Sequence, residues 1–230
     1  MSKKSVVVLF LFFSVCAVKG QDLIQFYEKG KVGFRDSSGQ VIIPAQYDAC
    51  GDFSEGLALA VDHEMRGYID RHGEIVIPFI YTNAATFSNG VARVKSGSKY
   101  GFINHENRAV IPFEYDEAGD FNNGITRVRK GSNWGYIDLS GTEMISLQYE
   151  YAGNFREGLA PVRLHNKWGY IDLCGSVIIP FEYDQAHDFK SGQAWVLQDE
   201  KAFYIDKIGR FIKKAEKETP NSNTPGKESD

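Results

Sequence analysis

Residues that commonly carry enzyme chemistry are dispersed along this 230-residue chain. Its five histidines are His63, His72, His105, His165 and His187. No two of them show the close spacing that holds a metal ion on a helix or a hairpin. The chain also lacks a glycine-rich phosphate loop, a serine elbow and a redox pair of cysteines. These patterns predict a protein that is not an enzyme and that binds neither a cofactor nor a metal ion.

One carboxylate recurs every 34 residues in the pattern Asp-x-x-Gly. Its copies are Asp36, Asp70, Asp138, Asp172 and Asp206, with Asn104 in the third position. Acid–base catalysis needs two carboxyl groups in unlike environments, and a calcium ion needs six to eight oxygen ligands. A single carboxylate repeated in one position fits neither requirement. It does fit a tight turn, in which Asp accepts hydrogen bonds from the backbone and Gly takes the left-handed conformation.

The elements that position these turns repeat with the same period. Further columns comprise the glycines Gly33, Gly67, Gly101, Gly135 and Gly169, the tyrosines Tyr47, Tyr81, Tyr115, Tyr149 and Tyr183, and the phenylalanines Phe53, Phe87, Phe121, Phe155 and Phe189. Helical tetratricopeptide repeats also have a period of 34. Here, however, each copy carries two or three glycines and short segments rich in Tyr, Phe, Ile and Val, which break helices and favour strands.

Each unit is predicted to contain three strands. In the third unit they cover residues 91–95, 100–104 and 109–112, followed by a longer connection. Six such units follow one another, and none is large enough to bury its own apolar face, so stacking must form the core. We therefore expect an all-β fold of tandem 34-residue hairpin or meander repeats in an open, twisted array or solenoid. A closed six-unit ring resembling a β-propeller is the alternative.

Two motifs, Trp134-Gly135-Tyr136-Ile137-Asp138 and Trp168-Gly169-Tyr170-Ile171-Asp172, resemble the WG repeat of bacterial proteins. The resemblance covers roughly residues 23–213, as about five full repeats and a partial sixth, and it implies a β-strand array of a kind often found in exported proteins. The other copies depart from the motif: Val32, Arg66 and Tyr100 replace Trp, Ala202-Phe203 replaces Trp-Gly, and Ser146 replaces a recurring proline.

The N-terminus has the pattern of a secretory signal peptide, with two lysines before a twelve-residue apolar run that is too short to span a membrane. We expect a signal peptide over residues 1–20, a repeat domain over 21–213, and a disordered polar tail over 214–230. A lipoprotein signal at Cys16 is disfavoured, because Val15 precedes it where a small residue is needed. In the exported chain Cys50 and Cys174 lie at different phases of the repeat, so their pairing stays open.

The mature chain should be acidic and should have no integral membrane span. Loss of Lys3, Lys4 and Lys19 leaves 23 basic against 30 acidic side chains, a net charge of −7. This charge disfavours nonspecific binding of nucleic acid. The sequence does not indicate an oligomeric state.

Two sets of side chains are candidates for a binding surface. The first is a stripe of bases that alternate with small apolar residues and should project outward: Arg93, Lys95, Arg127, Arg129 and Arg163. The alternative is a solvated face that discourages edge pairing. The second set, Trp134, Tyr136, Trp168 and Tyr170, should serve mainly to pack one unit against the next.

Together these features predict an exported, non-enzymatic repeat module that presents a surface to a protein or an envelope polysaccharide. A passive scaffold in an envelope assembly is the second hypothesis, and an enzyme is the third. Export to the periplasm, the outer envelope or the medium is predicted without a choice among them.

Overall fold

The computed structural model describes residues 22–215, none of which is helical. Strands β1 to β23 form six antiparallel sheets along the chain. Sheet 1 contains β1 (Ile24–Glu28), β2 (Lys31–Arg35) and β3 (Val41–Tyr47). Sheet 2 contains β4 (Ala49–Ser54), β5 (Leu57–Asp62), β6 (Met65–Asp70) and β7 (Ile75–Tyr81). Sheet 3 contains β8 (Asn83–Ala84), β9 (Ala92–Ser96), β10 (Lys99–Ile103) and β11 (Ala109–Tyr115).

The remaining sheets repeat this order. Sheet 4 contains β12 (Glu117–Ala118), β13 (Ile125–Lys130), β14 (Asn133–Asp138) and β15 (Glu143–Tyr149). Sheet 5 contains β16 (Tyr151–Ala152), β17 (Leu159–Leu164), β18 (Lys167–Asp172) and β19 (Val177–Tyr183). Sheet 6 contains β20 (Gln185–Ala186), β21 (Gln193–Gln198), β22 (Lys201–Asp206) and β23 (Phe211–Lys214).

The all-β prediction is confirmed, but sheets 2 to 6 have four strands where the sequence predicted three. The extra strand comes from the connection, whose first residues pair with the next strand in sequence. In sheet 4, for example, Glu117 and Ala118 pair with Arg129 and Val128. A pairing of two residues is too short to leave an alternating pattern in the sequence. Four-stranded antiparallel sheets are also the blades of β-propellers.

The Asp-x-x-Gly segments form the predicted turns. Oδ1 of Asp36 accepts hydrogen bonds from the backbone N–H groups of Ser38 and Gln40, each at 2.9 Å. The Ser38 hydroxyl also donates to this carboxylate and holds the pKa of Asp36 below its usual range. Gly39 has a φ of 90°, and Asn107 takes the same left-handed position with a φ of 59°. Asn is the residue that best replaces Gly there.

The glycine of the Trp-Gly motif lies under a β-bulge in the neighbouring strand. Between β14 and β15, Trp134 pairs with Tyr149 and Tyr136 pairs with Ile145. Over this stretch β15 contains two more residues than β14, which forms the bulge. The bulged backbone approaches so closely that a Cβ on Gly135 would lie 2.6 Å from the Ile145 carbonyl oxygen. Sheet 6 lacks this extra step, and Phe203 occupies the glycine position there. The bulge is therefore the reason for the glycine.

The core lies between sheets, in five clusters that each join two consecutive sheets. Between sheets 4 and 5, Tyr136 and Ile145 of one sheet pack against Val162 and Ile171 of the next. Phenylalanines of the connections pack at a tilt against the aromatic residue that follows the motif glycine, as in Phe102 with Phe121, whose ring centres are 4.8 Å apart. The expected role of the phenylalanine column in packing between units is thus confirmed.

At each end of the stack, one position that holds isoleucine in the inner sheets holds a basic residue. Each interface joins an isoleucine of one sheet to an isoleucine of the next, as Ile43 of sheet 1 meets Ile69 of sheet 2. At the free face of sheet 1 the second isoleucine is replaced by Arg35, and at the free face of sheet 6 the first is replaced by Lys213. Both side chains are exposed. Within residues 22–215 no strand pairing or buried cluster joins sheets 1 and 6, which makes the stack an open array.

The predicted signal peptide and nearly all of the predicted tail fall outside the described residues. Strand β23 reaches Lys214, the first residue of the segment assigned to the tail. Across residues 22–215 there is no helix with the length and apolar character to cross a bilayer. Cys50 and Cys174 are both free thiols in this structure, and burial raises the pKa of Cys50 to about 12.

Buried tyrosines should make the fold sensitive to alkali. Burial raises the pKa of Tyr115 and of Tyr183 from 10.0 to about 12. Their contribution to stability is therefore complete below pH 10 and is lost as the pH rises from about 10 to 12, because the unfolded chain ionises first. We expect tyrosinate absorbance and loss of sheet circular dichroism to appear together in this window. Tyrosine ionisation that precedes any loss of circular dichroism would contradict the burial assignment.

Candidate ligand groove

The five bases of the predicted stripe lie on the faces that meet neighbouring sheets. Arg93 and Lys95 pair across the hairpin with Phe102 and Tyr100 and so share their face, while Ala92 and Val94 occupy the opposite face. The small residues are buried, as expected, and the bases are half-buried. They are partly covered because an inner sheet of the stack has a neighbour on each face. A role of these bases in binding remains a prediction.

Three of the five bases are paired with carboxylates. Arg93 Nε lies 2.8 Å from Asp120, Arg129 Nη2 lies 2.5 Å from Glu117, and Arg163 Nε lies 3.5 Å from Glu150. Lys95 and Arg127 have no carboxylate within 4.0 Å in the described part of the chain. Lys95 Nζ lies instead 5.1 Å from the ring centre of Tyr100.

A contact between residues 27 positions apart links one sheet to the next. Gln25 Nε2 donates to Asp52 Oδ1 at 3.1 Å, and Arg93 Nε donates to Asp120 Oδ1 at 2.8 Å. The same spacing places Arg127 with Asn154 and Pro161 with Asp188. Arg127 therefore lacks the acidic partner of this contact, and Asp188 lacks the basic partner. The two residues do not form an ion pair with each other.

A groove of about 940 Å³ opens where these two unmatched positions meet. It is lined by Arg127, Tyr151, Gly153, Asn154, Arg156, Pro161, Trp168 and residues 185–190. The lining comes from sheets 4, 5 and 6 and from different columns of the repeat. The site exists because Pro161 has a short side chain where sheets 3 and 4 carry an arginine.

Arg127 is held at one wall of the groove. Its Nη1 donates to the Ala152 carbonyl oxygen at 2.7 Å and to the Tyr151 hydroxyl at 3.3 Å. The guanidinium carbon lies 5.1 Å from the ring centre of Trp134. Its Nε is buried and has no hydrogen-bond partner. Arg127 therefore presents a fixed positive charge that no carboxylate neutralises.

Asp188 lies near the floor of the groove. Its Oδ1 is 3.2 Å from the point where a Cβ on Gly153 would lie, and its Oδ2 is 4.0 Å from Nε of Arg156. Partial burial raises the pKa of Asp188, while Arg156 and Arg127 act in the opposite direction. Since 43% of the side chain remains accessible, the carboxylate can still reach a ligand.

The two aromatic rings that line the groove, Tyr151 and Trp168, form a row with the buried ring of Trp134. The ring centres of Trp134 and Tyr151 are 5.7 Å apart, and those of Tyr151 and Trp168 are 5.1 Å apart. Tyr151 is 39% exposed, whereas its column elsewhere holds Ala49, Asn83, Glu117 and Gln185. Tyr136 and Tyr170 are buried instead, and their hydroxyls donate to the carbonyl oxygens of Gly153 and His187.

Sequence reasoning named Arg127 and Trp168 but missed Tyr151, Asp188 and Pro161. A signal was present for two of them, since Tyr151 and Pro161 each differ from the other members of their columns. Asp188 matches Asp52 and Asp120 and gave no such signal. The described residues contain no cluster of three His, Cys, Asp or Glu side chains that could hold a metal ion.

Comparisons with solved structures bear on the fold alone. A crystal structure of the eukaryotic initiation factor is similar with a TM-score of 0.50 at 12% identity, over 84% of this chain and 62% of that one. Hsv2 of Kluyvelomyces marxianus is similar with a TM-score of 0.49 at 8% identity, over 90% of this chain and 76% of the other. This chain thus spans less than two thirds of the length of the initiation factor chain.

No functionally curated protein matches the chain. The model of the WG containing repeat, by contrast, matches five consecutive segments, at residues 33–62, 67–100, 100–134, 134–168 and 168–201. These segments cover most of the described sheets and contain the glycine, the bulge and the turn that define each unit. The chain therefore belongs to the WG containing repeat family.

Proposed function

We propose that this protein is an exported, non-enzymatic module that binds a partner in the cell envelope through the groove of sheets 4 to 6. The observation that carries the proposal is that aromatic rings and unmatched charged groups from different repeat columns converge there. Recognition sites in proteins combine apolar walls with a few fixed polar groups in this way. A passive scaffold needs no such departure from the repeat.

Of the two partner classes predicted from the sequence, an envelope polysaccharide fits the groove better than a protein. The groove is open along its length and has an exposed aromatic ring, Tyr151, beside the half-buried ring of Trp168. The aliphatic face of a pyranose ring can cover such a surface and remove apolar area from water. Hydroxyl groups of the sugar can accept from Arg127 and donate to Asp188.

The same groove lacks the groups that glycoside hydrolysis requires. Most glycosidases use two carboxyl groups on opposite sides of the scissile bond. Among the residues that line this groove, Asp188 is the only carboxylate. Binding without turnover is therefore the activity that the chemistry supports.

Replacing Tyr151 with glutamine should weaken retention of the protein on isolated envelope polysaccharide by about 2- to 10-fold, the effect of losing one aromatic contact. Glutamine is already present in this column as Gln185, so the fold should tolerate it. The matched control is Tyr27→Gln, which removes a tyrosine that is 74% exposed on sheet 1, far along the chain from the groove.

The measurement is retention of the wild type and both variants on peptidoglycan, acidic polysaccharide and neutral polysaccharide. The same preparations should be offered with and without envelope proteins. Wild-type protein that is retained by none of them would favour the passive scaffold. Equal losses in both tyrosine variants would mean that the groove is not the binding site.

A further inference from the structure

We propose that the groove is a subsite for a sugar residue that carries a carboxylate, with Arg127 and Arg156 as the groups that receive it. This inference rests on the proposed function and adds the chemical class of the ligand. It follows from the contact between residues 27 positions apart, because Arg127 and Asp188 each lack the partner that this contact has in Arg93 and Asp120. A neutral sugar would need no excess of positive charge at this place.

The groove is basic in a protein that is acidic as a whole. Arg127, Arg156 and Lys190 line it, and Asp188 is the single opposing carboxylate. The complete chain has a net charge of −4. Since low-dielectric walls strengthen the local field, an anionic group is attracted here and repelled by most of the remaining surface.

The guanidinium groups favour a carboxylate among anions. Both are planar, so two N–H groups of one arginine can bind the two oxygens of one carboxylate. The corresponding arginine of sheet 3 shows the principle, because Arg93 binds the carboxylate of Asp120. Arg127 has asparagine at the equivalent position and no carboxylate partner. Because its Nε is buried and its Nη1 is already bonded, Nη2 is the nitrogen that can receive a carboxylate brought by a ligand.

Asp188 has lost the arginine that its position pairs with in sheet 3. Arg156 is its nearest base, and the distance of 4.0 Å is too long for a hydrogen bond. An accessible carboxylate of this kind accepts hydrogen bonds from sugar hydroxyls. Its negative charge also repels a bound carboxylate, so removal of this charge should strengthen the binding of an acidic sugar.

The test uses polygalacturonic acid and its fully methyl-esterified form, two polymers that share a backbone and differ in charge. We expect the full-length exported protein to bind the acid form at least about 10-fold more tightly, as expected for charge-assisted hydrogen bonds. This preference should decline as salt rises, because exposed charges are screened over about 8 Å at physiological ionic strength.

Matched variants locate the subsite. Arg127→Gln should reduce binding of the acid form by about 10-fold. Arg93→Gln, at the same strand position in sheet 3, should leave it unchanged, since Arg93 is already paired. Asp188→Asn should strengthen binding of the acid form. If the ligand were a neutral sugar, the same change would weaken binding.

Pro161→Arg tests the subsite by adding a side chain to the groove rather than by removing one. It restores the pairing of arginine and aspartate found between sheets 3 and 4, and the new side chain fills the space in which the carboxylate of the ligand would lie. We expect unchanged or higher thermal stability together with loss of binding to the acid form. Binding that survives this change would overturn the assignment of the subsite.

Two further outcomes separate this inference from the proposed function. Equal binding of the acid and ester forms, or binding of neither, overturns the carboxylate subsite. The retention series on envelope polysaccharides then decides the proposed function separately, because it includes neutral polymers.

Discussion

Replacing Phe121 with alanine should lower the free energy of unfolding by about 3–5 kcal/mol, as for other large buried aromatic residues. Phe121 is 9% exposed and packs against Phe102 with ring centres 4.8 Å apart. It comes from the connection into sheet 4 and covers a ring of sheet 3, so its loss opens a cavity between two units. Urea denaturation followed by circular dichroism measures the change.

Asp138→Asn is the comparison for this loss. Asp138 is a half-buried turn residue whose Oδ1 accepts from the N–H groups of Ser140 and Thr142. Asn104 already holds the equivalent turn in sheet 3, accepting at 2.9 Å from the N–H of Arg108. The substitution should therefore cost much less than Phe121→Ala. Equal losses would show that core and turn have been misassigned.

The same comparison has a pH dependence. The hydroxyl of Ser140 holds the pKa of Asp138 below its usual range. A carboxyl group with a lowered pKa contributes stability above the pKa of the unfolded chain and loses it as the pH falls through the folded value. The difference between wild type and Asp138→Asn should accordingly shrink below about pH 4.

Replacing Gly135 with alanine is the second change with a large expected effect. The new Cβ would lie 2.6 Å from the Ile145 carbonyl oxygen and 2.8 Å from the Leu147 nitrogen. Both are backbone atoms of the bulge and cannot rotate away, so β14 and β15 must separate. We expect a loss of about 1–3 kcal/mol or more in the free energy of unfolding, as for other overpacked sites.

Gly51→Ala is the control, because its new Cβ would meet nothing closer than 3.8 Å and its φ is not positive. Alanine at such a site restricts the unfolded chain and should be neutral or stabilising by about 0.4–1 kcal/mol. Thermal and urea unfolding of the two variants gives the comparison. If both alanines proved equally harmless, the bulge would not be the reason for the recurring glycine.

Much of this architecture could be predicted from the sequence because it is local or strictly repeated. The turn at Asp36 needs four consecutive residues, and the core role of Phe121 follows from its recurrence at every unit. The contacts of Arg93 and Lys95 could not be obtained this way. Alternation shows which residues share a face of a strand, but it does not show what lies opposite that face.

The groove could not be predicted for a related reason. Arg127 and Asp188 are 61 residues apart and belong to sheets 4 and 6, so their proximity depends on the way in which successive sheets stack. The contacts of Gln25 with Asp52 and of Arg93 with Asp120 show that residues 27 positions apart meet across an interface. With that relation known, the replacements at Asn154 and Pro161 become visible as the origin of the site.

Arg35 and Lys213 have a consequence for assembly. Because every interface in the array is built from the same two faces, a second molecule could in principle continue the stack and form a filament. In such a junction Lys213 of one molecule would meet Arg35 of the next in the place where two isoleucines meet inside the array. Two like charges would lose their water there without a counter-ion. The two basic residues therefore oppose continuation of the stack at these two faces.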